Sequence, residues 1–303
     1  MPDKTLIVIA GPTAIGKTAL AIKLAQHFKT EIISADSRQF YREMEIGTAK
    51  PSLPELNTVK HHFINSLSVT DEFSVGDFEA QGLATLDSIF NENTVAILVG
   101  GSGLYIKAIT EGFDNLPKGD TSVRQELNQS LAEEGITSLQ EKLKILDPDY
   151  YAEVDLSNPQ RVIRALEVCI TSGKPFSSFR SNQQKTRPFN SIRICLDTDR
   201  QKLYTQINTR VDQMLEAGLL DEVKSLIPYR HLNALNTVGY SEIFEYLDDK
   251  ISLEQAVENI KQNTRRFAKR QLTWFRKDRE MRWFDPENSF DKILNHISQS
   301  LPL

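Results

Sequence analysis

Gly11-Pro12-Thr13-Ala14-Ile15-Gly16-Lys17-Thr18 follows directly on the apolar run Leu6-Ile7-Val8-Ile9-Ala10 and precedes a helix-forming stretch, residues 19–28. The octet has the spacing G-x-x-x-x-G-K-T between a buried strand and a helix, which is the setting of a phosphate-binding loop. Its glycines let the backbone turn N–H groups inward around phosphate oxygens, and the new helix adds its positive N-terminal end. The pattern predicts that Lys17 brings a point charge to the terminal phosphate and that the Thr18 hydroxyl ligates Mg²⁺. The ligand is therefore phosphorylated. The loop alone, shared by nucleotide- and ATP-binding proteins, does not say which ligand it is.

Outward from the loop, strand and helix alternate through the first hundred residues. Residues 31–35 read as a strand running into Asp36, and residues 95–99 as a strand ending in Gly100-Gly101-Ser102-Gly103. Between them Phe78, Leu83, Leu86, Ile89 and Phe90 have helical spacing. Such alternation predicts an α/β fold, a phosphate-loop-type parallel sheet covered by helices, with ligands at the carboxyl ends of the strands. From residue 120 to 172 the pattern is helical only, at 123–133, 137–146 and 159–171, broken at Asp147-Pro148 and Asn158-Pro159. A polar stretch, 177–188, leads back to a strand at 192–196. The expected organisation is a core of residues 1–115 and 187–303 carrying a helical insertion domain, residues 116–186. Helices return at 202–217, 220–226, 241–247 and 252–276.

Composition narrows the classes. The chain has 303 residues, 40% of them hydrophobic and 25% charged, which is ordinary for a soluble globular protein. Its apolar runs are too short to span a bilayer, and the N-terminus leads straight into the phosphate loop, so neither membrane association nor a signal peptide is expected. Cys169 and Cys195 fit neither a disulfide framework nor a zinc cluster, so a cytoplasmic location is expected. The net charge of −5 argues against nucleic acid until its distribution is read. Residues 261–282 hold nine Lys or Arg against two acids, a segment of +7 on a remainder of −12. A basic stripe on an acidic body points to a polyanion met at one place.

Asp36, at a strand end beside the loop, has two chemical uses: holding Mg²⁺ through water, or taking a proton from a nucleophile. An Asp capping the next turn is the alternative. Where many NTPases place an acid after a buried strand, Gly100-Gly101-Ser102-Gly103 stands instead, which weakens an ATPase reading. Such a loop admits a flat ligand or simply makes a tight turn. Arg161 and Arg164 share one helix face, for phosphate contact or for pairing of Arg164 with Glu167 across one turn. Arg210 sits similarly on an amphipathic helix. On the basic helix, Arg266, Lys269, Arg270, Thr273 and Lys277 form one stripe, while Ile260, Phe267 and Trp274 form a second, expected to dock on the core. His61-His62 is a poor metal pair, because adjacent strand residues point opposite ways.

Taken together these stretches resemble the tRNA dimethylallyltransferase (isopentenyl-diphosphate:tRNA transferase) family. The matching pieces are the phosphate loop, Ile33-Ser-Ala-Asp-Ser-Arg-Gln-Phe-Tyr41, Gly47-Thr-Ala-Lys-Pro51, Gly100-Gly-Ser-Gly-Leu-Tyr105, Asn158-Pro-Gln-Arg-Val-Ile-Arg-Ala-Leu-Glu167, Val238-Gly-Tyr240 and Thr264-Arg-Arg-Phe-Ala-Lys-Arg-Gln-Leu-Thr-Trp-Phe-Arg276. They run in the family's order across nearly the whole chain. The Asp36 run and Lys269-Arg-Gln-Leu-Thr-Trp274 are the most diagnostic. Ile15 stands where Ser is frequent and Ser102 where Thr is common, and residues 53–60 differ from the commoner members.

The resemblance implies transfer of a dimethylallyl group from its diphosphate to the exocyclic amine of adenine 37, in the anticodon loop of tRNA. Residues Gly11, Pro12, Thr13, Ala14, Ile15, Gly16, Lys17 and Thr18, with Mg²⁺ at Thr18, would then stabilise the departing diphosphate. Arg210 matches a family arginine that reaches the same group, Thr13 sets its hydroxyl by the breaking bond, and Asp36 accepts the amine proton. The base leaves its stack to react. Asp36, Ser37, Arg38, Gln39, Ser102, Arg124, Gln160, Arg161, Val162, Ile163 and Arg164 match positions that hold the base and its neighbours. Arg266, Lys269 and Arg270 on the basic helix are expected to meet tRNA as well. A monomer is expected. Two rivals use other chemistry: a small-molecule kinase, which is shorter and lacks the basic helix, and an NTP-driven RNA-binding module, whose base-recognition motif is missing. Adenylate isopentenyltransferases share the chemistry on a free nucleotide, and the basic helix favours tRNA.

Overall fold

The computed structural model describes residues 4–114, 116–180, 185–287 and 289–301. It divides into two compact units, one of residues 1–111 with 186–303 and one of residues 112–185. The predicted polar stretch 177–188 is described only in part, since residues 181–184 lie outside the described residues.

The first unit is built on six strands: β1 (Thr5–Ala10), β2 (Ile32–Ser34), β3 (His61–His62), β4 (Val95–Val99), β5 (Asn190–Leu196) and β6 (Arg282–Phe284). They pair in the order β3-β2-β4-β1-β5-β6, every pair parallel. β1 is central, with Ile7 opposite Ile97 on one side and Ile192 on the other. A strand buried on both faces reads as a continuous apolar run, as Leu6 to Ala10 does. Its alternating side chains feed two cores, Ile7 and Ile9 on one face and Leu6 and Val8 on the other. Each fully buried aliphatic side chain of this kind contributes about 1.5–3 kcal/mol.

Helices cover both faces. α1 (Lys17–Phe28), α2 (Leu53–Thr58), α3 (Val75–Glu92) and α4 (Gly103–Thr110) fall in the first half. Ser52 with Glu55 and Ser74 with Asp77 form capping boxes that start α2 and α3. Residues 53–60, where the sequence departs from the commoner pattern, thus hold a short capped helix. α1 lies on the Ile7 face through Ala21 and Leu24, whereas α3 and α4 lie on the Leu6 face through Phe78, Leu86 and Ile109.

The second unit contains α5 (Thr121–Glu134), α6 (Ile136–Leu146), α7 (Pro148–Glu153) and α8 (Pro159–Ser172) around their own core of Leu127, Leu139, Leu143, Val162 and Leu166. Asn158 caps α8 ahead of Pro159 and a left-handed Gly173 ends it. The chain then returns to the first unit with α9 (Arg200–Glu216), α10 (Leu219–Ser225), α11 (Ser241–Leu247), α12 (Leu253–Phe275) and α13 (Phe290–Ser300). No element was named from sequence beyond residue 276, where Arg282–Phe284 is a strand, pairing Trp283 with Cys195 at the sheet edge.

Candidate active site

The phosphate loop leaves the carboxyl end of β1 and is shaped by residues in the left-handed region. Gly16 has φ 93° and opens α1 with no side-chain cap, and Ala14 has φ 65°. A residue with a Cβ in that region costs on the order of 1–2 kcal/mol, and such strain tends to collect at functional sites. Lys17 arches back over the loop, its Nζ donating to the Pro12 carbonyl at 2.7 Å. Pro12 has no N–H, and the Thr13 N–H donates to Gln271 Oε1 at 2.9 Å. The donors left for an anion are those further on, where the first turn of α1 leaves its N–H groups without intrahelical partners.

The loop forms one wall of a cavity of about 550 Å³, whose lining also includes Asp36, Gln39, Lys50, Arg210, Phe267 and Gln271. Burial pushes the Lys17 ammonium down to about 8; Asp36 opposes that shift, and Arg210 adds to it. Burial likewise lowers Arg210, again opposed by Asp36. Asp36 thus sits in the field of two cations, an arrangement with positive charge in excess that favours an anionic ligand. One Asp36 oxygen accepts from the Arg38 N–H at 3.0 Å, so the turn-capping role weighed for this residue is present. Thr18 lines the same cavity.

The facing wall is the 45–50 loop, held from a distance in sequence. Glu222 accepts from the N–H groups of Glu45, Ile46 and Gly47 at 3.0, 2.6 and 3.0 Å, and from the Tyr240 hydroxyl at 2.6 Å. Gln39 Nε2 donates to the carbonyls of Thr48 and Ala49, and Arg210 to Ala49. Lys50 spends its Nζ on the Tyr41 carbonyl and Asn65 Oδ1, both at 2.5 Å, and burial pushes it down to about 8. Lys50 falls within the matching piece at residues 47–51 but was given no role from sequence, whereas Glu222 was not singled out and no local spacing marks it, its partners lying up to 177 positions away.

Around Asp36 only part of the predicted base-contacting set gathers: Ser37, Arg38, Gln39 and Ser102. The Ser37 N–H donates to Ser102 Oγ at 3.3 Å, Gln39 accepts from Ser34 at 3.3 Å, and Arg38 reaches the Asn236 carbonyl at 3.4 Å. Arg124, Gln160, Arg161, Val162, Ile163 and Arg164 all belong to the second unit. There Arg164 pairs with the buried Glu167 at 2.9 Å and donates to the Pro117 carbonyl, while Arg124 lies 3.6 Å from Glu167 and 3.4 Å from Gln160. Val162 and Ile163 are wholly buried in that unit's core. Of the predicted site residues on α8, this leaves Gln160, Arg161 and Arg164 with solvent access.

On α12 the apolar seam differs from the expected one. The buried residues are Ala256, Ile260, Ala268, Gln271 and Phe275, whereas Phe267 and Trp274 are each 39% exposed. A seven-residue repeat drifts by about 20° per step on a straight helix, so a stripe begun at Ile260 rotates to the seam's edge by Trp274. Trp274 lies against Gly103, where an added Cβ would strike its ring. Phe267 lines the cavity. Among the described residues Arg266, Lys269 and Arg270 form no ion pair, unlike Lys261, held by Asp212 at 2.7 Å.

A six-stranded parallel sheet covered by helices, with a glycine-bent loop opening from β1 onto a cavity that holds a carboxylate, places the chain in the α/β class. Residues 39–278 match the family model described as IPP transferase, and the chain belongs to that family of enzymes. It is 56% identical over 296 residues to a tRNA dimethylallyltransferase of Christiangramia forsetii, covering 98% of each. It is 52% identical to the one from Flavobacterium johnsoniae, again covering 98% of each. Among solved structures it is similar to a full-length tRNA isopentenylpyrophosphate transferase from Bacillus halodurans, with 38% identity, TM-score 0.73 and coverage of 98% and 97%. A eukaryotic dimethylallyltransferase captured acting on tRNA gives a TM-score of 0.80 at 26% identity, covering 99% of this chain and 81% of that one.

Proposed function

We propose that this enzyme moves a dimethylallyl group from dimethylallyl diphosphate to the exocyclic amine of adenine 37 in tRNA. The observation that carries this reading is one cavity in which the phosphate loop, Asp36 and Arg210 meet, lined also by Phe267 and Gln271 of α12, whose Arg266, Lys269 and Arg270 form no ion pair among the described residues. The relatives' names support prenyl transfer to tRNA, and the missing acid after β4 argues against nucleotide hydrolysis.

The bond from the allylic carbon to the diphosphate oxygen breaks, its electron pair leaving with the diphosphate. Lys17, Arg210 and the amides at the start of α1 stabilise that developing charge. Adenine's amine is a weak nucleophile, its lone pair delocalised into the ring, and as its nitrogen bonds the allylic carbon Asp36 takes the surplus proton. The Thr13 hydroxyl lines the cavity beside the loop and orients the leaving oxygen. The cavity offers hard oxygen donors in Thr18 and Asp36, and among the described residues there is no His, Cys, Asp or Glu cluster of the kind a tightly held metal needs. That donor set fits Mg²⁺, which is usually held by one or two protein oxygens together with substrate phosphates and water. Bound there, Mg²⁺ supplies further neutralisation of the diphosphate. The test is mass analysis of adenosines from tRNA incubated with the protein, dimethylallyl diphosphate and Mg²⁺. One dimethylallyl group replacing a hydrogen on adenine 37 is expected; tRNA-stimulated ATP hydrolysis without alkylated product would overturn the reading.

A further inference from the structure

We propose that Gln271 is a positioning residue that sets the phosphate loop for the diphosphate, by pegging the Thr13 amide to the Gly101 carbonyl. The inference rests on the diphosphate reading of the loop given above.

Gln271 lies on the buried seam of α12, 7% exposed, directly after Arg270. Both ends of its side-chain amide are used. Oε1 accepts from the Thr13 N–H at 2.9 Å, and Nε2 donates to the Gly101 carbonyl at 3.0 Å. The amide can face only one way, since an N–H must meet the oxygen and a carbonyl must meet the NH₂. The approach is close enough that a Cβ on Gly101 would strike Nε2, so the glycine there makes room for the peg. A buried polar group on an apolar helix seam is costly unless satisfied, and this one is satisfied by two loops 258 and 170 positions away.

The consequence falls on the ligand. Fixing the Pro12–Thr13 peptide plane fixes the start of the turn in which Ala14 takes its left-handed conformation, and with it the direction of the amides that follow. Without the peg the loop must be ordered when the anion arrives, and that cost appears in the binding constant.

The test compares wild type with Gln271→Met, which keeps length and packing but makes neither bond, and with Gly101→Ala, which displaces the amide from the other side. Pyrophosphate with Mg²⁺ is titrated into each free protein by calorimetry, well below its melting temperature. Dissociation constants should rise on the order of tenfold, as two lost bonds of ordinary strength imply. The tRNA dissociation constant should stay within about twofold, since no tRNA-facing cation changes. In turnover the rise should fall mainly on KM for dimethylallyl diphosphate. A folded variant with unchanged pyrophosphate affinity overturns the proposal, as a merely structural glutamine would only lower the melting temperature. Failure of wild type to bind pyrophosphate overturns both this inference and the reading beneath it. Weakened binding in a protein that never alkylates tRNA keeps the peg and removes the proposed reaction.

Discussion

Asp36 holds two tasks with one carboxylate, capping its turn at the Arg38 N–H and facing the cavity with Lys17 and Arg210. Asp36→Asn preserves the cap, since an amide oxygen accepts equally well, but removes the proposed base. Single-turnover rates should drop by about 10² or more with tRNA affinity near that of wild type. A variant that kept most of its rate would move the proton to another group. Lys17 gives a second residue-scale prediction. Its proton is held less tightly in the folded protein than in the unfolded chain, because burial lowers it to about 8. Folding stability from this group therefore rises as pH climbs from about 8 towards the lysine's ordinary value. Anion binding runs the other way, since only the ammonium attracts phosphate. The affinity for dimethylallyl diphosphate should be level below about pH 8 and fall as pH rises through it, read by calorimetry. An affinity that stayed level to about pH 10 would remove Lys17 from the binding site.

At the scale of elements, α12 turns three sides to three environments: a buried seam, exposed aromatics at its edge, and cations facing away. If the cations lie along tRNA phosphates, neutralising Lys269 and Arg270 together should weaken binding across tRNA sequences. The log–log salt slope should flatten by nearly one unit per contact on duplex and less on single strands, and the modified base should not change. An unaltered slope with normal affinity would make the stripe a solvated face. The cation stripe and the strand–loop–helix about residues 11–18 were legible in sequence because each is written in local spacing. Phe267 and Trp274 were misplaced on the core because the heptad spacing ignored helical drift, and the seam through Ala268 and Gln271 carries a polar residue that breaks an apolar pattern. His61-His62 was read as strand residues and forms a strand, whereas the strand Arg282–Phe284 is too short for alternation to show and exists because β5 pairs with it. Gln271 and Glu222 lay out of reach for a different reason: their meaning is in contacts that only the folded chain creates.

At the scale of the whole molecule, charge is divided between an acidic body and a basic segment, and among the described residues no helix is long and apolar enough to cross a membrane. Each of the two units has its own core, and the second depends on a buried carboxylate. Asp147 is fully buried and accepts from the N–H of Tyr150 at 3.0 Å and from the N–H and hydroxyl of Ser177 at 2.6 and 2.8 Å, tying the start of α7 to the turn after α8. Asp147→Ala would strand those donors in a core built on Leu139, Leu143 and Phe176, at a cost of about 3 kcal/mol. A domain with its own core opens as its own cooperative unit. Hydrogen exchange should therefore speed up across α6, α7 and α8 while the amides of β1 and β4 keep their protection. The pyrophosphate affinity of the first unit should be unchanged, since every residue lining its cavity lies outside 112–185. Loss of protection spreading into the sheet would show instead that the two units unfold as one, and that the insertion is part of what holds the phosphate loop in shape.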